Sequence, residues 1–265
     1  MALRIGFICP TYQAVALHGY TEIALRTFFE TTPGGVALVV DDGTPGWDDK
    51  YVAKLQAIAA EYDSELHAYH FPKKLGLTRS WNWGLNKCDE LDLDYVIAGN
   101  NDVIFTPNWH QGMLHALNSG YTMVGPLSNA PGITARGKQE VGRYYPGYKV
   151  TDDAAYLSQV ADRLYRDNLG KVVESEVNGF FQMCSMTGWR SNKWASTEFY
   201  KAVNKFTSKG RKNPTPHMTL NEDEWQGRAR AKKMKMAIVL SSFIFHYRAV
   251  TRGDKYKRGQ WYRQK

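Results

Sequence analysis

Residues 94–110 read DYVIAGNNDVIFTPNWH, an apolar, β-prone run that ends in Asn100, Asn101 and Asp102 and then reaches Pro107, a residue suited to the first turn of a helix. A strand that closes on short polar side chains and leads into a helix is one unit of a strand–helix alternation. Such alternation implies a parallel sheet with helices on its faces. In that architecture ligands lie beyond the carboxyl ends of the strands, where these three residues sit. One carboxylate and two amides at that edge can coordinate a cation, or can cap a turn.

The flanking sequence repeats the unit. RIGFICP (4–10) and VALVVDD (36–42) are short β-branched runs, and between them residues 14–30 place Tyr20, Ile23, Ala24 and Phe28 at helical spacing. A second helix takes Asp48 as N-cap and presents Tyr51, Leu55, Ile58 and Tyr62 on one face. ELHAYHF (65–71) is a strand, followed by a helix over about 78–88. Beyond the opening stretch, Pro107 starts a helix that Gly120 closes, and YTMVGPL (121–127) is a strand, which makes five strand–helix repeats. The pattern then changes. A polar, glycine-rich loop (128–149) leads to a helix at about 152–168, a strand over VESEVNGFFQMCSMT (173–187), a loop at 207–221, a basic helix after LNEDEW (220–225), and two strand runs, MAIVL and FIFHY. No repeat or linker divides the chain, so a single domain is expected.

Composition narrows the function. The 265 residues are 43% apolar, enough to fill a large core. Neither a membrane-spanning run nor the pattern of a signal peptide is apparent, so a cytoplasmic protein is expected. Cys9, Cys88 and Cys184 stand far apart and odd in number, which argues for reduced thiols over disulfides or a zinc site. The net charge of +8 is uneven: residues 189–265 hold 19 Lys and Arg against 5 Asp and Glu (+14), the preceding part 15 against 21 (−6). A basic third of this kind faces a negative partner or is a solvated surface. The phosphate loop, dinucleotide turn, zinc-protease and serine-hydrolase motifs are all missing, which disfavours those classes.

Three strand ends therefore share one edge: Pro10, Thr11 and Tyr12; Asp41, Asp42 and Gly43; Asn100, Asn101 and Asp102. Glu222 and Asp223, at the start of the basic helix, are good helix-dipole chemistry and equally candidates for a general base. His246, in FIFHYR, is a structural histidine, a metal ligand or a phosphate partner.

The segments ICPTYQ, VVDDGTPG, GLTRSWNWGL, VIAGNNDVIFTPNW, VNGFFQMCS, NEDEWQGRARAKKMKM and FIFHYRAVTRG occur in an order that resembles family 2 glycosyltransferases with the GT-A fold, over about residues 4–253. The resemblance implies one Rossmann-like, mostly parallel twisted sheet with flanking helices, a nucleotide-sugar-binding half (1–125), an acceptor and catalytic half (126–250) and a basic tail (251–265). It implies that Thr11, Tyr12, Asp42, Arg79 and Asn82 hold the nucleoside. Asp102 and His246 would hold Mg²⁺ or Mn²⁺, with Asn100 where the family's D-x-D motif has its first carboxylate. Asn100 and Asn101 then border the donor, Arg248 and Arg252 lie near the leaving diphosphate, and Asp223 is the catalytic base with Glu222 as its alternative. The implied reaction is an inverting, metal-dependent transfer of a hexosyl or pentosyl group from a nucleotide-diphosphate-sugar to a hydroxyl. For the acceptor, the basic third points to DNA carrying hydroxymethylated pyrimidines, as modified by some bacteriophage enzymes in the host cytoplasm. A cell-envelope or surface glycan is the alternative, and a catalytically weak nucleic-acid-binding protein on the same fold is the reading from another class.

Overall fold

The computed structural model describes residues 3–13, 17–131, 137–194, 198–201 and 221–247. Three all-apolar or nearly apolar runs form its centre: β1 (Ile5–Thr11), β2 (Val36–Asp41) and β4 (Tyr95–Gly99), with β3 (Glu65–His70) at the edge. They are parallel, in the order β3-β2-β1-β4, so their carboxyl ends form one continuous edge. The connections are α1 (His18–Thr31), α2 (Asp49–Ala60) and α3 (Leu77–Glu90). The Asp48 carboxylate accepts from Tyr51 N at 2.8 Å, satisfying one of the free N–H groups that open α2.

Beyond β4 the sheet continues through β8 (Phe181–Ser185), β6 (Met123–Leu127) and β9 (Met236–His246) to β5 (Val103–Phe105), and β7 (Val172–Glu174) pairs with β9. The expected parallel pairing runs through β3-β2-β1-β4 and recurs between β6 and β9. β8 runs antiparallel to both β4 and β6, and β5 and β7 run antiparallel to β9, so the sheet as a whole is mixed.

Three expected elements differ. The 94–110 stretch carries two strands: Asn100–Asp102 reverse the chain after β4 and send β5 back against β9. The run 173–187 is β7, a turn over Ser175–Phe180, β8 and then α6 (Met186–Ser191), because Asn178 and Gly179 break the extended chain. MAIVL and FIFHY are one strand: the register of β9 against β6 jumps from Pro126↔Val239 to Leu127↔Phe243, which bulges out Leu240–Ser242. That bulge lets β9 leave the main sheet and pair Ile244, Phe245 and His246 with Phe105, Ile104 and Val103. The helix after Pro107, α4 (Trp109–Asn118), begins two residues late, behind Asn108 at φ 62°, and Gly120 (φ +95°) follows its end. Helices α5 (Ala154–Asn168) and α7 (Asn221–Ala231) complete the described fold.

An aromatic cluster holds the reversal in place. Phe105 packs on Phe7 (5.0 Å), Trp109 (5.1 Å) and Phe181 (5.6 Å) between ring centroids, and all four are buried. Each such ring contributes about 2–3 kcal/mol by its burial, so the β4–β5 turn is pinned from below. The three cysteines are free and buried, and burial pushes each thiol's pKa up. Among the described residues no helix is long and apolar enough to cross a membrane.

Candidate active site

Two strands from opposite ends of the sequence bring Asp102 and His246 together. Because Val103 pairs with His246 and Tyr247 N donates to Asp102 O at 2.9 Å, the two side chains meet at the mouth of the β5–β9 ladder. His246 Nε2 lies 3.1 Å from Asp102 Oδ1, and both residues are buried. His246 Nδ1 is 2.9 Å from the carbonyl of Ala130, which can only accept, so Nδ1 carries the proton. In the neutral ring Nε2 then presents its lone pair toward the carboxylate, with Asn100 Nδ2 donating to it at 3.2 Å. Asn129 holds the histidine's backbone from both sides: its Oδ1 accepts from His246 N (2.8 Å) and its Nδ2 donates to His246 O (3.0 Å). The Phe180 ring stacks on the imidazole at 5.0 Å and 15°.

The pair has the chemistry to share either a proton, as an ion pair, or a cation. A carboxylate oxygen and an imidazole lone pair facing each other repel unless a cation or proton lies between them, and an Nδ1–H anchored on a carbonyl is the usual support of a metal-ligating histidine. Half a turn of the Asn100 amide offers its oxygen as a third, neutral ligand. Among the described residues no group of three or more His, Cys, Asp and Glu side chains gathers around one point, so the site is poor in charge.

At the β1 and β2 ends, Asp41 is a buried hub. It accepts from Thr11 Oγ1 (3.0 Å), Thr44 N (2.7 Å) and the Thr44 hydroxyl, and its Oδ2 lies 2.8 Å from His70 Nδ1. Asp42 accepts from Leu75 N (2.6 Å) and Gly76 N (2.9 Å), which docks the 73–76 loop on the turn. Gly43 makes this approach feasible, since a Cβ there would fall 2.4 Å from Lys73 C and its φ is +79°. Tyr12 is 40% exposed with the Lys74 ammonium 3.6 Å over its ring. Arg79 projects to solvent from the first turn of α3.

Two of the expected donor contacts are occupied within the protein. Asn82 accepts from Phe199 N (3.0 Å) and Tyr200 N (2.8 Å) and donates to Tyr200 O (3.1 Å), so its amide holds the 199–200 segment. Asn101 donates both amide hydrogens inward, to Gln13 Oε1 (2.9 Å) and Thr21 Oγ1 (3.0 Å), tying the strand end to α1.

The acids of α7 form the third corner. Glu222 lies against Gly179: a Cβ on that glycine would come within 2.9 Å of its Cδ and Oε1. Burial, with the neighbouring Asp223 charge adding to it, pushes Glu222 up to about 7, and burial also raises Asp223. Glu224 is committed elsewhere, to Arg228 at 2.8 Å. The turn that carries Gly179 also supplies Phe180, whose carbonyl accepts from Asn100 N at 2.9 Å. The acids and the Asp102–His246 pair therefore flank one short turn.

Arg248 and Arg252 lie outside the described residues. In the basic third, the described cations are largely held within the protein: Arg190 by Asp89, Arg228 by Glu224, Arg230 by Glu176, Lys232 by Ser191 O, Lys193 over Phe199 and Lys201 over Trp194. Asn129, Gly179, Phe180 and Gln226 carry no signal of these roles in the sequence. Each acts on a partner far away in the chain or on backbone, and no local spacing marks them.

The parallel core and the edge where the carboxylate–histidine pair meets the acids of α7 agree with the GT-A arrangement that the sequence resemblance implies. The profile of glycosyl transferase family 2 matches residues 24–175, more than half of the chain, and the chain belongs to that family. Among solved structures, a crystal structure of GalNAc-T7 with UDP, GalNAc and Mn²⁺ aligns at TM-score 0.59 and 10% identity, over 92% of this chain and 44% of that one. S. aureus TarS 1-349 aligns at TM-score 0.52 and 10% identity, over 92% of this chain and 60% of that one. The chain thus spans less than two thirds of either neighbour. No curated protein sequence matches it.

Proposed function

We propose that the protein transfers a sugar from a nucleotide-diphosphate donor to an acceptor hydroxyl, with inversion at the anomeric carbon. The observation that carries this reading is the buried Asp102–His246 pair at 3.1 Å, set on the same strand-end edge as Asp41 and Asp42 and facing the acids of α7 across the 178–180 turn. Thr11, Tyr12, Asp42 and Arg79 border the nucleoside, with Asp42 acting by shaping the 73–76 loop and Asn82 by holding residues 199–200. Asp102, His246 and Asn100 would hold Mn²⁺ or Mg²⁺. A cation bound there would offset the charge that develops on the leaving diphosphate, and Mn²⁺ in the GalNAc-T7 structure is consistent with this.

The remaining chemistry belongs to the chain's own residues. The acceptor oxygen bonds to the anomeric carbon while the bond from that carbon to the diphosphate oxygen breaks, and the diphosphate leaves with the electron pair. The acceptor's proton passes to a carboxylate of α7, Asp223 or Glu222. A carboxylate with a raised pKa is a stronger base than an ordinary one and is still ionised just above neutrality, which suits it to this task.

For the acceptor, DNA carrying hydroxymethylated pyrimidines and a glycan hydroxyl both stand: six of the eight described cations of the basic third are held by protein groups, and 11 of its 19 cations lie outside the described residues. A panel of nucleotide-sugars with Mn²⁺, read by release of nucleoside diphosphate and by product mass, tests the proposal. The absence of both nucleotide binding and donor turnover across the whole panel would defeat it and leave a binding protein on this fold.

A further inference from the structure

We infer that Gln226 is a positioning residue for the acceptor-activating carboxylates, an amide clamp that sets α7 in register with the turn beside the Asp102–His246 pair. This rests on the proposed role of Glu222 and Asp223. Gln226 follows Glu222 by one helical turn and is 2% exposed. Its Oε1 accepts from Val177 N at 2.8 Å and its Nε2 donates to Val177 O at 2.8 Å. One side chain therefore makes with a single residue the pair of hydrogen bonds that a neighbouring strand would make.

The clamp sits within a larger set of buried amides. Val177 O also accepts from Gln182 Nε2 (3.2 Å), whose Oε1 accepts from Tyr200 OH (3.1 Å). Gln139 accepts from Asn178 N (3.1 Å) and donates to Pro126 O (2.8 Å). The turn is thus tied to α7 on one side and to the end of β6 on the other. Two residues past Asn178, Phe180 stacks on His246 and its carbonyl holds Asn100 N. A continuous path of directed contacts links the helix bearing the acids to the residues facing the leaving group.

Packing alone does not call for an amide here. The buried Val177 N–H does: an apolar side chain of the same length would fill the space but leave that donor unpaired, at a cost of about 1–3 kcal/mol. What the amide adds is direction: two bonds fix both the rise and the rotation of α7, whereas an apolar contact tolerates sliding. A misplacement of about 1 Å between base and acceptor can cost about 100-fold in rate.

The test uses Gln226→Met and Gln226→Glu in the full chain. Gln226→Met keeps the volume and removes both bonds. The expected result is a fall in kcat of about 10- to 100-fold with the dissociation constant of the donor nucleotide unchanged, because the β1, β2 and β4 ends are untouched. In Gln226→Glu, a protonated carboxyl can still accept from Val177 N and donate to Val177 O, while an ionised one cannot. Its rate is expected to gain an alkaline fall, reversible on lowering the pH, that the parent and Gln226→Met lack; this comparison also serves if Gln226→Met does not fold. An unchanged kcat in a less stable Gln226→Met, a parallel loss of donor affinity, or a Gln226→Glu profile without the alkaline fall would each overturn the inference. Inactivity of the parent protein on every donor and acceptor sinks the functional reading itself, a result separable from an active parent with an indifferent Gln226→Met.

Discussion

Replacing Glu222 with Gln tests the α7 corner by stability before any substrate is known. The ordinary glutamate value is 4.5, and burial lifts Glu222 to about 7. Below pH 4.5 the carboxyl is protonated in both folded and unfolded chains and contributes no pH dependence. Between 4.5 and 7 the unfolded chain ionises first, so native stability falls as pH rises; above 7 both states are ionised and the loss is complete. The shift of about 2.5 units, at about 1.4 kcal/mol per unit, sets an upper value of about 3–4 kcal/mol, and solvent contact of the partly buried carboxyl lowers it to about 2 kcal/mol. Glutamine has no charge to bury. Relative to the parent, Glu222→Gln should therefore gain about 2 kcal/mol between pH 5 and pH 8, measured by urea unfolding at half-unit steps. A difference that stays flat across this range, or that reverses sign, refutes the reasoning about the environment of Glu222.

The same corner separates the two base candidates. Gly179→Ala places a methyl against the Glu222 carboxyl, a flexible end that can move, so folding should survive while kcat falls about tenfold or more if Glu222 takes the proton; an unchanged kcat assigns that role to Asp223. At the cation site, Asn100→Asp adds a charged ligand and should tighten Mn²⁺ binding about tenfold by calorimetry, and Asp102→Ala should lower transfer by about 100-fold or more. Full activity of Asp102→Ala in chelator would contradict the role given to that carboxylate. Duplex DNA binding at about 150 mM salt separates the two acceptors: weak binding favours a glycan hydroxyl. Tight binding that weakens steeply with added salt would instead favour a DNA acceptor.

Much of the fold was legible because its signals are local. β1, β2 and β4 are short apolar runs bounded by turn residues, and Asp48 marks the start of α2 by a contact only three residues long. The strand-end edge followed from topology alone: parallel strands with intervening helices leave their carboxyl ends together, so Thr11, Asp42 and Asn100 had to share a side. Where the reading failed, the cause was non-local. Nothing within residues 236–247 announces that three residues bulge out and turn two apparent strands into one. Likewise 173–187 looks uniformly extended until β7 is drawn to β9 and β8 is inserted between β4 and β6.

The sequence by itself determined the class of fold and the set of polar residues at the sheet edge, since periodicity and turn chemistry act over a few residues, and the order of its segments carried the family resemblance. Only the tertiary structure decided what those residues do to one another. Asp102 and His246 lie 144 positions apart and meet because the bulge in β9 redirects its end onto β5. Asn82 and Asn101, which look like ligand contacts in one dimension, hold neighbouring segments of the protein. Gln226, unremarkable in a basic helix, reaches a backbone pair 49 residues away. Hydrogen bonds between distant segments depend on where strands are laid side by side, and that is set by the packing of the whole sheet.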